Sequence, residues 1–64
     1  MKKKMWCVYF EDENANREYW WSTISYYRKD SIRHFLANSN ISWKEARSKY
    51  GYGVQKVLIT IEPI

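Results

Sequence analysis

The sequence predicts an α+β domain of order β-β-α-α-β: a three-stranded, mainly antiparallel sheet with two short helices on one face. Three observations carry that expectation. Two aromatic, strand-like runs flank the acidic, asparagine-rich stretch Asp12-Glu13-Asn14-Ala15-Asn16-Arg17. A capped helix is written in Ser42-Trp43-Lys44-Glu45, with Gly51 to end it. The last run alternates, with Val57, Ile59 and Ile61 on one side and Lys56, Leu58 and Thr60 on the other.

The first strand is expected from Lys4 to Glu11, where aromatic and aliphatic residues dominate. The loop 12–17 suits a hairpin, because Asn tolerates positive φ and bonds to its own backbone. Glu18 to Ser25 resumes as a second strand with Tyr19, Trp20, Trp21, Thr23 and Ile24, residue types enriched in sheets. The period then changes. Ile32, Phe35 and Leu36 fall at i, i+3 and i+4 with Ser39 continuing the stripe, which predicts an amphipathic helix from Arg28 to Asn38.

The second helix has the fuller signature. Ser42 and Glu45 fit a capping box, and Ile41 before the cap can staple onto Ala46. Trp43, Ala46 and Tyr50 form its expected buried stripe, and Gly51 is the left-handed residue beyond its end. Val54 to Glu62 is the last strand, with Val57, Ile59 and Ile61 expected to face the helices. On the first strand Trp6, Val8 and Phe10 should do the same, leaving Met5, Cys7 and Tyr9 opposite. Trp20, Ile24 and Tyr26 can join either side. Because the first strand is apolar on both faces, it is expected between the other two.

Size bounds the rest. At 64 residues the chain has room for a single domain, residues 1–64, and one core. Such a domain has a stability of roughly 3–10 kcal/mol. Cys7 is the only cysteine, so no internal disulfide can form, and with His34 the only other soft ligand a structural zinc site is excluded. Four Trp, six Tyr and two Phe must supply the packing instead. Met1-Lys2-Lys3-Lys4 resembles the start of a signal peptide, but the apolar run Met5 to Phe10 is too short and ends in Glu11-Asp12-Glu13. A membrane span needs about 20 apolar residues. No membrane association is expected, and one unpaired cysteine fits a reducing cytoplasm.

The net charge of +4 leans on its first residues, since Lys2, Lys3 and Lys4 carry three of those charges. Residues 1–4 read as a basic, poorly ordered N-terminal tail. Catalytic chemistry finds no footing. Cys7 sits among aromatics with no cation to activate it, and His34 falls off its helix stripe with no orienting carboxylate. Glu11, Asp12 and Glu13 fall in an expected exposed turn, with no pocket to set paired carboxylates to acid–base work and nothing to fix the oxygens calcium needs. Gly51-Tyr52-Gly53 follows a helix and precedes a strand, the reverse of a phosphate loop. No enzyme activity, metal or cofactor is expected.

The aromatic surplus is what remains. Two short helices cover one sheet face, so the other should present Tyr9, one of the Trp20/Trp21 pair, and Leu58 beside Lys56. Such a surface fits a protein partner or a second copy of the chain, with Tyr9, Trp20, Trp21 and Leu58 as contacts. The alternative is nucleic acid, with Lys2, Lys3, Lys4, Arg28, Lys29, Arg33, Arg47 and Lys49 on phosphates and bases stacked on aromatics.

Arg28-Lys29-Asp30-Ser31-Ile32-Arg33-His34-Phe35, then Trp43, then Gly51-Tyr52-Gly53-Val54-Gln55-Lys56-Val57 together resemble small uncharacterised proteins of phages and integrated mobile elements. The likeness spans Trp6 to Ile61 and lies in layout: an aromatic hairpin, a helix with an Ile-x-x-Phe stripe, a Trp-bearing helix and a closing strand. It implies a phage-derived or mobile-element setting in a bacterium, and no activity, cofactor or site residue.

Overall fold

A strand that is apolar on both faces belongs between two partner strands. The first strand has both partners. The computed structural model describes residues 1–64. It contains β1 (Lys2–Glu11), β2 (Arg17–Tyr19), a 3₁₀ turn (Trp21–Thr23), α1 (Arg28–Ala37), α2 (Trp43–Lys49) and β3 (Tyr52–Thr60). The strand order is β2-β1-β3 and both pairings are antiparallel, so β1 is central as expected.

The basic tail is a correction. Lys2, Lys3 and Lys4 belong to β1 and pair with Thr60, Ile59 and Leu58. The Met1 ammonium donates to the Ile61 carbonyl at 2.9 Å, and the Ile61 N–H donates back to the Met1 carbonyl at 2.8 Å. The reason is register: Leu58, Ile59 and Thr60 at the end of β3 lie directly beside the three lysines and complete a ladder along β1, while at its start β3 begins at Tyr52, two residues before the expected position, and pairs with Phe10.

In the hairpin loop, Asp12 Oδ1 accepts the N–H groups of Asn14 and Asn16 at 2.8 and 3.0 Å. The left-handed position falls on Ala15, at φ 64°, rather than on either Asn. The second strand is much shorter than expected. It pairs only over Arg17–Tyr19, and then the chain leaves the ladder. The Trp20 N–H still donates to the Val8 carbonyl at 2.9 Å. Beyond it, the Thr23 hydroxyl accepts the Val8 N–H at 2.9 Å and donates to the Trp20 carbonyl at 2.6 Å. Ser25 rejoins β1 opposite Trp6, with reciprocal bonds of 2.7 and 3.0 Å.

The adjacent tryptophans go to opposite sides. Trp20 packs edge-on against Phe35 and Tyr52, with ring centroids 5.3 and 5.5 Å away. Trp21 is 80% exposed. Strand alternation makes the same assignment, because the register that opposes Tyr19 to Tyr9 sets Trp20 beside Val8 on the helix side and Trp21 beside Cys7 on the other.

Helix α1 matches its predicted span within a residue. Phe35 is 3% exposed and forms the core with Val8 and Ala46; Trp20, Leu36, Ile41, Trp43, Tyr52 and Val54 pack around them. Ser31 is fully buried, while Ile32 is only half-buried. A small side chain at the innermost position lets α1 sit close to both β1 and the 3₁₀ turn. The Ser31 hydroxyl has no hydrogen-bond partner there.

In α2 the Ser42 hydroxyl accepts the Glu45 N–H at 3.1 Å, Ile41 packs against the core cluster that contains Ala46, and Gly51 takes φ 77°. Tyr50, expected in the buried stripe, is 49% exposed. The helix ends at Lys49, so the Tyr50 backbone has left helical geometry and its ring swings outward.

The facing of β3 is the other correction. Directly opposed residues share a face, and the pairs Trp6↔Lys56, Val8↔Val54 and Phe10↔Tyr52 put the even-numbered residues of β3 on the helix side. Val57 and Ile59, opposite Met5 and Lys3, therefore lie on the far face. The apolar phase of β3 flips at Gln55-Lys56. Tyr52 and Val54 pack under the helices, whereas Val57, Ile59 and Ile61 are apolar on the other side.

Two predictions follow from this packing. Thr23→Val should lower stability by about 1–3 kcal/mol, because it leaves the buried Val8 N–H without an acceptor. Hydrogen exchange would show the Val8 amide losing protection in Thr23→Val and keeping it in Thr23→Ser. Ser31→Ala should raise stability by about 1–2 kcal/mol in a denaturant titration, since it removes an unpaired buried hydroxyl and improves helix propensity.

Candidate functional site

The far sheet face has three zones, each set by what β2 and the 3₁₀ turn place beside β1. At the hairpin end lies a polar clamp. The Arg17 guanidinium donates to Glu11 Oε1 at 2.8 Å and to Gln55 Oε1 at 2.9 Å, and the Tyr19 hydroxyl donates to the same Gln55 oxygen at 2.7 Å. These contacts link all three strands. The bond to Glu11 is the main cause that raises the Arg17 pKa above its already high ordinary value, so the cation persists across the working pH range.

Arg17 also lies 4.2 Å from the centroid of the Tyr9 ring, a cation–π contact. Tyr9 in turn lies over Gly53, where a Cβ would collide with the ring. The absent side chain at residue 53 gives Tyr9 its seat.

The middle zone is a groove of about 410 Å³ lined by Cys7, Tyr19, Trp21, Ile24, Val57, Leu58 and Ile59, all hydrophobic. Cys7 is the floor and is buried. Its Sγ lies 3.3 and 3.4 Å from the carbonyls of Trp20 and Val8, and 3.7 Å from the Thr23 hydroxyl. Trp21, set by the β2 register, and Ile24, brought over by the detour, form one wall; Val57 and Ile59 form the other. Leu58 borders the groove from the strand edge, because alternation carries its side chain to the helix side. The third zone is polar again, with Lys3 Nζ donating to the Tyr26 hydroxyl at 2.7 Å.

The expected protein contacts are thus distributed. Tyr9 lies on the far face in the clamp, Trp21 on the groove wall, Trp20 in the core, and Leu58 on the helix side at 58% exposure. Tyr19, Ile24, Val57 and Ile59 complete the groove and were not singled out by sequence. The signal for the last two was the flip in apolar phase along β3, which is visible in the string but has no face attached to it.

The expected phosphate contacts lie on three elements. Lys2 and Lys4 share the helix side of the sheet with Lys56, whose ammonium is 5.8 Å from the Trp6 ring centroid, while Lys3 faces the other way. Arg28, Lys29 and Arg33 lie on α1, Arg33 paired with Asp30 at 3.5 Å, and Arg47 and Lys49 close the last turn of α2. His34 is exposed on α1, apart from Cys7 on the far face. No cluster of three or more His, Cys, Asp or Glu side chains forms, and no helix is long and apolar enough to cross a membrane.

Gly53→Ala should unseat the Tyr9 ring from Arg17 and cost about 1–3 kcal/mol, as overpacking does. The ring-current shifts of the Arg17 side-chain protons would collapse in the same variant. No protein-family model, curated protein or solved structure matches this chain.

Proposed function

We propose that this chain is a small non-enzymatic protein-binding module whose contact surface is the far-face groove. What supports the reading is one observation: a groove lined entirely by hydrophobic residues, walled by a tryptophan that is 80% exposed, on a domain of only 64 residues. Exposing such a surface is costly unless something covers it. The polar clamp at one end and Lys3 with Tyr26 at the other give the apolar centre a polar rim, the usual anatomy of a protein contact. An apolar anchor residue of the partner would enter between Trp21 and Val57.

A second reading rests on a different surface. Lys2, Lys4 and Lys56 share the helix side of the sheet with Trp6, a pairing of cations and an aromatic ring that suits a nucleic-acid strand. Three phosphate contacts would weaken binding roughly 40-fold between about 50 and 200 mM salt.

The two readings separate by photo-crosslinking from a probe residue at position 21 or at position 4 in producing cells. Discrete protein adducts from position 21 alone support the groove; nucleic-acid adducts from position 4 support the alternative. Adducts from neither position would count against both. Trp21→Ala should change stability by less than about 0.5 kcal/mol, as surface changes do. It should weaken the captured partner's binding by about 2 kcal/mol or more, as loss of an aromatic anchor does.

A further inference from the structure

The two edges of the sheet are unequal. The β2 edge is three residues long and is broken by the 3₁₀ turn. The β3 edge runs nine residues without a bulge, in unbroken register from Tyr52 to Thr60. The Ile61 N–H bonds to Met1, and the Gly51 carbonyl accepts from the Glu11 N–H at 2.9 Å. The ladder bonds of β3 to β1 therefore fall on odd-numbered residues. The N–H and C=O groups of Tyr52, Val54, Lys56, Leu58 and Thr60 point away from β1, along an open edge.

We infer that the occupant of this edge is a second copy of the same chain, paired antiparallel through β3 about a two-fold axis at Ile59. Opposite charge selects the register, because Glu62 is the one acidic residue between Tyr52 and Ile64 and only an axis at Ile59 brings it opposite Lys56. An axis at Lys56 would set Lys56 against its own copy. An axis at Ile59 sets Lys56 opposite Glu62 of the second copy, twice by symmetry, with Leu58 opposite Thr60. Those even-numbered pairs exchange the free backbone bonds.

The odd-numbered pairs then become the closely spaced, non-hydrogen-bonded ones: Val57 opposite Ile61, and Ile59 opposite Ile59. All are β-branched, and all stand on the far face, where Val57 and Ile59 already line the groove. The pairing joins two grooves into one six-stranded face and covers Leu58 and Ile61, which are 58% and 57% exposed in the single chain. The inference rests on the open edge and its charges, not on the groove reading, which would survive its failure.

Sedimentation over a concentration series from about 1 µM to about 1 mM covers the range in which an interface of modest energy associates. The wild-type chain should pass from monomer to dimer across it. Lys56→Glu and Glu62→Lys should each weaken dimerisation about tenfold or more, since each sets two like-charge pairs opposite one another. Mixed together, the two variants should restore dimerisation as a heterodimer, because every opposed pair is then of opposite sign. Leu58→Pro removes only an outward N–H, so it should remain folded by circular dichroism and sediment as a monomer. A wild-type chain that stays monomeric throughout overturns the inference. So does a dimer that ignores both charge reversals, or one that persists in Leu58→Pro.

Discussion

Where β2 leaves the ladder, the Thr23 hydroxyl takes its place, accepting the Val8 N–H at 2.9 Å and donating to the Trp20 carbonyl at 2.6 Å. Val8 is fully buried at the centre of the middle strand, and no water can reach its backbone. An unpaired N–H there would cost about 1–3 kcal/mol, a large share of the roughly 3–10 kcal/mol available to a domain of this size. With the bond in place, the chain can detour between Tyr19 and Ser25 without leaving a hole in the ladder. The β2 register has already set Trp20 in the core and Trp21 on the far face; the detour carries Ile24 to that face as well, and α1 starts from a defined point.

From that detour comes a sheet with two half-covered faces. The helices cover one face where Val8, Phe10, Tyr52 and Val54 stand, and Phe35 ties α1 to this layer through rings of Trp20, Trp43 and Tyr52 at 4.8 to 5.7 Å. The 3₁₀ turn partly covers the other face, over Cys7. The uncovered remainders differ in character. On the helix side it is lysine-rich, with Lys2, Lys4 and Lys56; on the far side it is aliphatic, with Val57, Ile59 and Met5. The apolar phase of β3 flips midway, so its second half presents Val57 and Ile59 on the face that the helices leave open.

Polar contacts divide the far face as firmly as packing does. Arg17, Glu11, Gln55 and Tyr19 bind one another across three strands and close one end of the groove. Such exposed pairs add little stability individually. Their effect is positional, since they hold the Tyr9 ring over Gly53 and keep the hairpin from splaying over the apolar centre. Cys7 beneath it is packed among carbonyls and the Thr23 hydroxyl. That environment explains why a lone thiol suits a groove floor.

Much of the fold was legible in local signals. The Ser42 cap, the Gly51 stop, the Ile-x-x-Phe stripe of α1 and the two-sided apolarity of β1 are each decided within a few residues, and the sequence by itself determined the two helices, the β-β-α-α-β order and the central place of β1, but not the 3₁₀ turn that replaces most of the expected second strand. The groove was less legible. Its residues were mostly visible as apolar or aromatic, but Trp20 and Trp21 are equivalent in the string, and the alternation of Val57, Ile59 and Ile61 has a period without a side. Only the tertiary structure decided these. A side is assigned by pairing register: Tyr19 opposite Tyr9 sets Trp20 with Val8 under the helices, and Val54 opposite Val8 leaves Val57 and Ile59 on the other face. Lys2 to Lys4 teach the same lesson: by composition they are a tail, and they became a strand because β3 extends far enough to pair with them.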